Sequence, residues 1–345
     1  MALELKKRII RTQFKSPFKN FEIVEAWGEI RTCPLSFHVT RVLPLRLKEI
    51  GVRDVNTIVT RSKELGCPFC PDVIEKKTAR FLPEFAPTDG RIVFEETTIF
   101  PNAFPYDEHS AVAVVSKEHF LSPRQFQPGL LCRAFQGCQI YFKRVREILP
   151  EAHYALLNWN YMPLAGAGIV HPHFQLTALR EPTSYYGLLI ENQRQYDLTH
   201  RGSIFDDLIA QEREDKQRFL AQTGHWHWLK SFAPRGLYEF WGLLDLDLDV
   251  LEMGEENLWE LSRGISAVLT FFEDKGIQAF NMCWYSYYKP APSGLRNLIS
   301  LVPRINLPPM ETSDVNYFDR LHGESVTFVV PEEIASEAKS YFPAH

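Results

Sequence analysis

Strand, strand, helix, strand, strand: this order of elements occurs twice along the chain. In the first copy, 91–98 and 110–116 are rich in Ile, Val and Phe and read as strands. Segment 128–148 carries Leu131, Phe135, Ile140, Val145 and Ile148 at helical spacing. Strands at 154–160 and 169–179 follow. In the second copy the strands fall at 225–232 and 238–244, the helix at 255–274 with Gly276 behind it, and the closing strands at 279–287 and 297–304. A helical insert, 183–219, separates the copies, and another helix starts near Pro331, where proline suits a first turn. Strands outnumber helices, and several are joined through short connections. This predicts an α+β fold, antiparallel sheet with packed helices. The expected division is 1–182, then a helical connection at 183–220, then 221–345.

Composition excludes several classes of function. The 345 residues carry a formal net charge of -5, so nothing draws the whole chain to nucleic acid or to an anionic membrane. An anionic ligand would need a local site. No run of about 18 uncharged apolar residues occurs, so no membrane-spanning helix is expected. The first residues, MALELKKRIIRTQFK, lack the apolar centre of a secretion leader. Six cysteines in a chain of this length do not form a disulfide framework. The cytoplasm is the expected compartment, and there a close cysteine pair favours a metal or redox role.

Three motifs carry chemistry. In His171-Pro172-His173-Phe174-Gln175, strand alternation would place His171, His173 and Gln175 on one face, where they can ligate, attack and hydrogen-bond. Pro172 cannot donate to a ladder, which predicts a sheet edge or a bulge. Upstream, Gly166-Ala167-Gly168 allows backbone amides to approach an anion closely, and Asn160 stands where it can orient a ribose or phosphate. In Cys67-Pro68-Phe69-Cys70 the pair sits in a Pro/Gly loop, without the helix start that a redox pair needs. Zinc is favoured, and two histidines from the distant sheet would complete a Cys₂His₂ tetrahedron of structural character.

These residues resemble the galactose-1-phosphate uridylyltransferase group of the histidine-triad superfamily. The matching segments are CPFCP at 67–71, FPNAFPY at 100–106, AVAVVSKEH ending at His119, and NWNYMPLAGAGIVHPHFQ at 158–175. Further likeness lies at 231–244 and 320–342. The resemblance implies two fused histidine-triad-like units, the first catalytic and the second degenerate. It implies Zn2+ on Cys67, Cys70, His119 and His171, His173 as nucleophile, and Gln175 on the phosphoryl oxygens. Asn102, Phe104, Asn160, Gly166 and Gly168 would lie near the nucleotide. Two departures stand out. Gly168 replaces the family's usual serine, and Val302-Pro303-Arg304 occupies a region where some members hold a second metal. Arg304 could instead hold a substrate phosphate.

The implied chemistry is nucleotidyl transfer through a nucleotidyl-histidine, in the setting of galactose metabolism. The implied partners are a nucleoside diphosphate sugar or dinucleotide and a phosphorylated acceptor, with the protein a homodimer. Two alternatives stay open: phosphorolysis of an ADP-sugar or dinucleoside polyphosphate, and nucleotide binding without catalysis.

Overall fold

The computed structural model describes residues 3–44, 54–86 and 88–343; Pro87 and His345 fall outside them. The chain opens with a long hairpin, β1 (Lys7–Ser16) and β2 (Glu22–Thr32), then β3 (Val39–Val42) and the helices α1 (Val55–Glu64) and α2 (Ile74–Lys77). The first unit follows: β4 (Ile92–Phe94), β5 (Thr97–Pro101), β6 (His109–Val114), α3 (Pro128–Ile148), β7 (Tyr154–Tyr161) and β8 (His173–Leu179). Helices α4 (Ser184–His200) and α5 (Ile204–Asp215) form the insert. The second unit is β9 (Phe219–Thr223), β10 (Trp226–Lys230), β11 (Phe240–Leu244), α6 (Glu255–Asp274), β12 (Phe280–Tyr287) and β13 (Leu298–Pro303). The end of the chain adds β14 (Asn306–Leu307), β15 (Thr312–Ser313), β16 (Ser325–Thr327) and α7 (Pro331–Ala338).

The duplicated order has a physical counterpart. Ten strands form one antiparallel sheet in the order β4-β5-β6-β8-β7-β12-β13-β11-β10-β9. It reads identically from either end, with β4 answering to β9, β5 to β10, β6 to β11, β8 to β13 and β7 to β12. The two halves join where β7 pairs with β12, from Tyr154↔Tyr287 to Tyr161↔Phe280. The fold is therefore α+β, with two like units side by side in one sheet.

Alternation decides what each face holds. Ala111, Ala113, Leu157, Trp159, Phe174, Leu176, Met282, Trp284, Ile299 and Leu301 point to one face and share a core with Leu131, Phe135, Phe142, Leu261, Ile265 and Phe272 of α3 and α6. The other face is divided. At one end Tyr154, Leu156, Leu229, Trp241 and Leu298 are covered by α4 and α5. At the other, Phe100, Val112 and Val114 meet the segment around Cys67 and Phe69. Between them Asn158, Asn160, Asn281 and Ser300 line an open cavity.

Several local expectations need correction. The expected strand 91–98 is a hairpin, turning at Glu95, whose φ is 53°. The expected strand 169–179 begins only at His173, and β8 lies inside the sheet between β6 and β7 rather than at an edge. Pro172 stands just before the strand, so its missing amide costs the ladder nothing, while its carbonyl accepts from the Val115 amide at 3.0 Å. The first strand of the second unit, β9, starts at Phe219, at the very end of the expected insert. The hairpin β1–β2 was not anticipated; it projects Phe14, Phe18, Phe21, Ile23 and Trp27 into solvent.

One close approach sets a limit on sequence. Gly264 of α6 lies against the fully buried Trp228, and a Cβ there would fall 1.9 Å from the indole Cε2. Gly264→Ala is expected to destabilise by about 3 kcal/mol through overpacking, despite alanine's better helix propensity. Chemical denaturation of both proteins measures it.

Candidate active site and metal centre

The candidate metal centre is assembled from three separate stretches of chain. Helix α1 ends where the Leu65 amide donates to the Arg61 carbonyl, and Gly66, at φ 83°, turns the chain into Cys67-Pro68-Phe69-Cys70. Within that loop the Phe69 amide donates to Cys67 Sγ at 3.4 Å. His119 lies past the end of β6, and His171 lies just before β8. One ligand atom from each of Cys67, Cys70, His119 and His171 lies within 4.8 Å of the other three.

Three distances characterise the cluster. Cys70 Sγ is 3.3 Å from His119 Nδ1, and His171 Nδ1 is 3.8 Å from both Cys67 Sγ and Cys70 Sγ. A tetrahedral cation with thiolates at ~2.3 Å and imidazoles at ~2.0 Å sets sulfur–nitrogen edges of roughly 3.5 Å. The donor set therefore fits a metal ion. Charge points the same way. Burial pushes the Cys67 thiol up to about 11 and brings His171 down to about 4. A neutral imidazole is the ligating form, and a dication offsets the cost of a Cys67 thiolate that burial alone would oppose. Each ring has its far nitrogen engaged. His171 Nε2 is 2.8 Å from the Ser116 carbonyl, and His119 Nε2 is 2.6 Å from Ser62 Oγ.

His173 faces a different space. Its Nδ1 is 2.7 Å from the His171 carbonyl, which can only accept, so Nδ1 carries the proton and Nε2 keeps the lone pair. Burial holds the ring below the ordinary histidine range, which favours the neutral form. Phe69 of the cysteine loop packs edge-on against this ring, centroids 5.2 Å apart, and so joins the metal centre to the histidine. His173 and Gln175 line a cavity of about 460 Å³ with Asn102, Phe104, Gly166 and Gly168. Gln175 sits opposite Val112 on one side and Asn158 on the other.

The remaining sequence candidates divide between two spaces. The Asn102 side chain accepts from the Phe104 amide at 3.0 Å, shaping a turn that leaves Phe104 85% exposed at the cavity mouth. Gly166 has φ 92°, a conformation that favours glycine, whereas Gly168 has open space for a side chain and needs no unusual φ. Asn160 and Arg304 line a neighbouring cavity of about 350 Å³ on the same sheet face, with Arg235, Asn281 and Ser300. Arg304 is held by Asp314 at 3.0 Å, and Arg235 by the buried Glu239 at 3.1 Å, so both guanidinium charges are compensated.

Sequence reasoning missed four contributors. Phe69 and Ser62 act across the chain fold. Asn281 of the second unit donates to Asn160 Oδ1 at 2.7 Å and to the Ala165 carbonyl at 2.8 Å, bracing the glycine turn from the partner half of the sheet. Lys77, at the end of α2, lines the His173 cavity. Only Asn281 carried a signal, as a side-chain amide within a largely apolar strand.

No family model matches the sequence. A curated relative, an uncharacterised protein from Archaeoglobus fulgidus, is 29% identical over 313 residues, covering 90% of this chain and 91% of the relative. Among solved structures, a GalT-like protein from Arabidopsis thaliana superposes with a TM-score of 0.68 at 17% identity, covering 90% of this chain and 98% of its own. An ADP-glucose phosphorylase from the same plant, solved with bound ADP-glucose, gives 0.69 at 16% over 90% and 98%. A uridylyltransferase gives 0.66 at 15% over 90% and 97%. At these identities the likeness is one of architecture: the chain shares the fold of the GalT-like protein, the ADP-glucose phosphorylase and the uridylyltransferase.

Proposed function

We propose that this protein is a nucleotidyltransferase that carries a nucleoside monophosphate on His173, in the manner of a hexose-1-phosphate uridylyltransferase. The observation that carries the reading is the fixed tautomer of His173, neutral and with its Nε2 lone pair free beside Gln175 and the glycine turn. The Nε2 lone pair attacks the α-phosphorus of a nucleoside diphosphate sugar. A nitrogen–phosphorus bond forms, and the bond to the bridging oxygen breaks. The sugar 1-phosphate leaves with the electron pair. A second phosphate ester then attacks the same phosphorus and returns the pair to Nε2, which gives ping-pong kinetics.

Through both steps the His171 carbonyl holds the Nδ1 proton and eases the positive charge on the ring. Gln175 and the amides of the turn supply donors to the phosphoryl oxygens. Among the described lining residues of the His173 cavity, Lys77 is the one cation and no carboxylate occurs, which suits a diphosphate. The neighbouring cavity, polar but charge-compensated, suits the hydroxyl-rich half of the substrate. Asn102 and Phe104 border the nucleotide. Zinc on Cys67, Cys70, His119 and His171 is structural: it braces the loop carrying Phe69 and the start of β8.

The division into a catalytic unit at 1–182, a connection at 183–220 and a degenerate unit at 221–345 belongs to the same reading. The degenerate character of the second unit is supported by β13, Leu298–Pro303, the strand that answers to β8 in the sheet order and carries no histidine. A homodimer is also part of the reading, supported by the exposed apolar hairpin β1–β2.

A second reading, adenylyl transfer from an ADP-sugar to inorganic phosphate, is supported by the equally good superposition on an ADP-glucose phosphorylase. The covalent intermediate separates the two. The protein is incubated with UDP-glucose, ADP-glucose, GDP-mannose or diadenosine tetraphosphate without acceptor, and intact mass is recorded in alkali, because a phosphoramidate is acid-labile. One nucleoside monophosphate is expected on the peptide containing His173. A UMP adduct supports uridylyl transfer; an AMP adduct discharged by phosphate supports the second reading. No adduct with any donor, in metal-replete protein, would make nucleotide binding without catalysis the better account.

A further inference from the structure

We infer that Ser62 of α1 is a positioning residue of the metal centre, fixing which nitrogen of His119 faces the two thiols. The inference rests on the reading of Cys67, Cys70, His119 and His171 as metal ligands. A hydroxyl has one proton to give. Ser62 Oγ gives it to the Val59 carbonyl, at 2.8 Å, within the helix. The same oxygen lies 2.6 Å from His119 Nε2, and with its proton committed it meets that nitrogen only as an acceptor. Nε2 therefore carries the ring proton. The lone pair falls on Nδ1, 3.3 Å from Cys70 Sγ, where a ligand lone pair is required. The opposite arrangement would break the bond to Val59 and place a proton on Nδ1, against the thiols.

The other histidine reaches the same state by a different device. His171 Nε2 faces the Ser116 carbonyl, an acceptor that no side-chain substitution removes. Ser62 is thus the only side chain, among the described residues, that sets a ligand tautomer in this cluster. It also gives α1 a purpose that its packing does not. No residue of α1 is fully buried, although Val55, Ile58 and Val59 rest against the main core. The helix runs directly into the cysteine loop, Ser62 lying five residues before Cys67. Helix, loop and His119 therefore form one mechanical unit around the metal position.

The test compares wild type with Ser62→Ala and Ser62→Thr, reading zinc content by elemental analysis and zinc affinity by competition with a chromophoric chelator. Loss of an outer hydrogen-bond partner typically lowers metal affinity by about 10–100-fold. That loss is expected for Ser62→Ala, with Ser62→Thr, which keeps the hydroxyl, close to wild type. Helix propensity runs the other way, since alanine is the better helix former. If Ser62 serves only α1, the alanine variant will hold zinc as tightly as wild type and be at least as stable; that result overturns the inference and leaves the metal centre standing. Wild type that binds no zinc with stoichiometric affinity removes the metal centre itself, and the role of Ser62 with it.

Discussion

His173→Asn is expected to abolish turnover, by about 10⁴-fold or more, while zinc content and thermal stability stay at wild-type values. Asparagine is close to histidine in reach, and its side-chain amide can still donate to the His171 carbonyl that now accepts from Nδ1 at 2.7 Å. The local hydrogen bond therefore survives. The Nε2 lone pair proposed as nucleophile does not, because an amide nitrogen has no available lone pair. The substitution also leaves the metal donors untouched, since His173 lines the cavity with Gln175 and is not one of the four clustered donors. His171→Asn gives the contrasting result: zinc and stability fall together with activity. Steady-state rates, elemental analysis and melting curves on the two variants separate these roles. If His171→Asn keeps its zinc and loses only turnover, the assignments of ligand and nucleophile are exchanged.

The legible parts of this molecule are those set by local periodicity. Helices α3 and α6 announce themselves through apolar residues three and four apart, and β6, β7, β11 and β12 through β-branched and aromatic runs. The alternation in His173-Phe174-Gln175 is visible for the same reason, with Phe174 buried in the helix-covered core and its neighbours on the polar face. The hairpin β1–β2 was illegible because solvent reaches both of its faces along much of its length, so burial imposes no period of two. The turn at Glu95 was illegible because no glycine, asparagine or aspartate marks it. Contacts made by distant segments name no partner in either segment: Ser62 meets His119 across 57 positions, and Asn281 meets Asn160 across 121. Arg304 shows the converse. Its place in the region of the family's second metal suggested a phosphate site; Asp314, ten residues on, pairs with its guanidinium, a contact that no sequence pattern announced.

Cys67→Ser is expected to empty the metal centre and lower the unfolding midpoint by on the order of 10 °C. Serine can occupy the space, but its hydroxyl is a poor ligand at neutral pH, where a thiolate binds zinc strongly. The loss propagates because the cluster is the place where three segments meet. Cys67 and Phe69 share a small core with Phe100, Val112 and Val114, and His119 and His171 bring ring nitrogens to within 3.3 and 3.8 Å of the cysteine sulfurs. Without the cation, the half-buried thiol of Cys70 and two imidazoles have no common partner, and the loop has only that small core to hold it. The effect must also reach the chemistry. The His171 carbonyl sets the tautomer of His173, and Phe69 packs on its ring, so a freed loop misplaces the nucleophile even though no catalytic side chain has changed. Turnover should therefore fall with zinc content, and prolonged treatment of wild type with a strong chelator should reproduce both the lower midpoint and the lower rate. A chelated wild type that melts where the untreated protein does would show that the cluster holds nothing the fold needs.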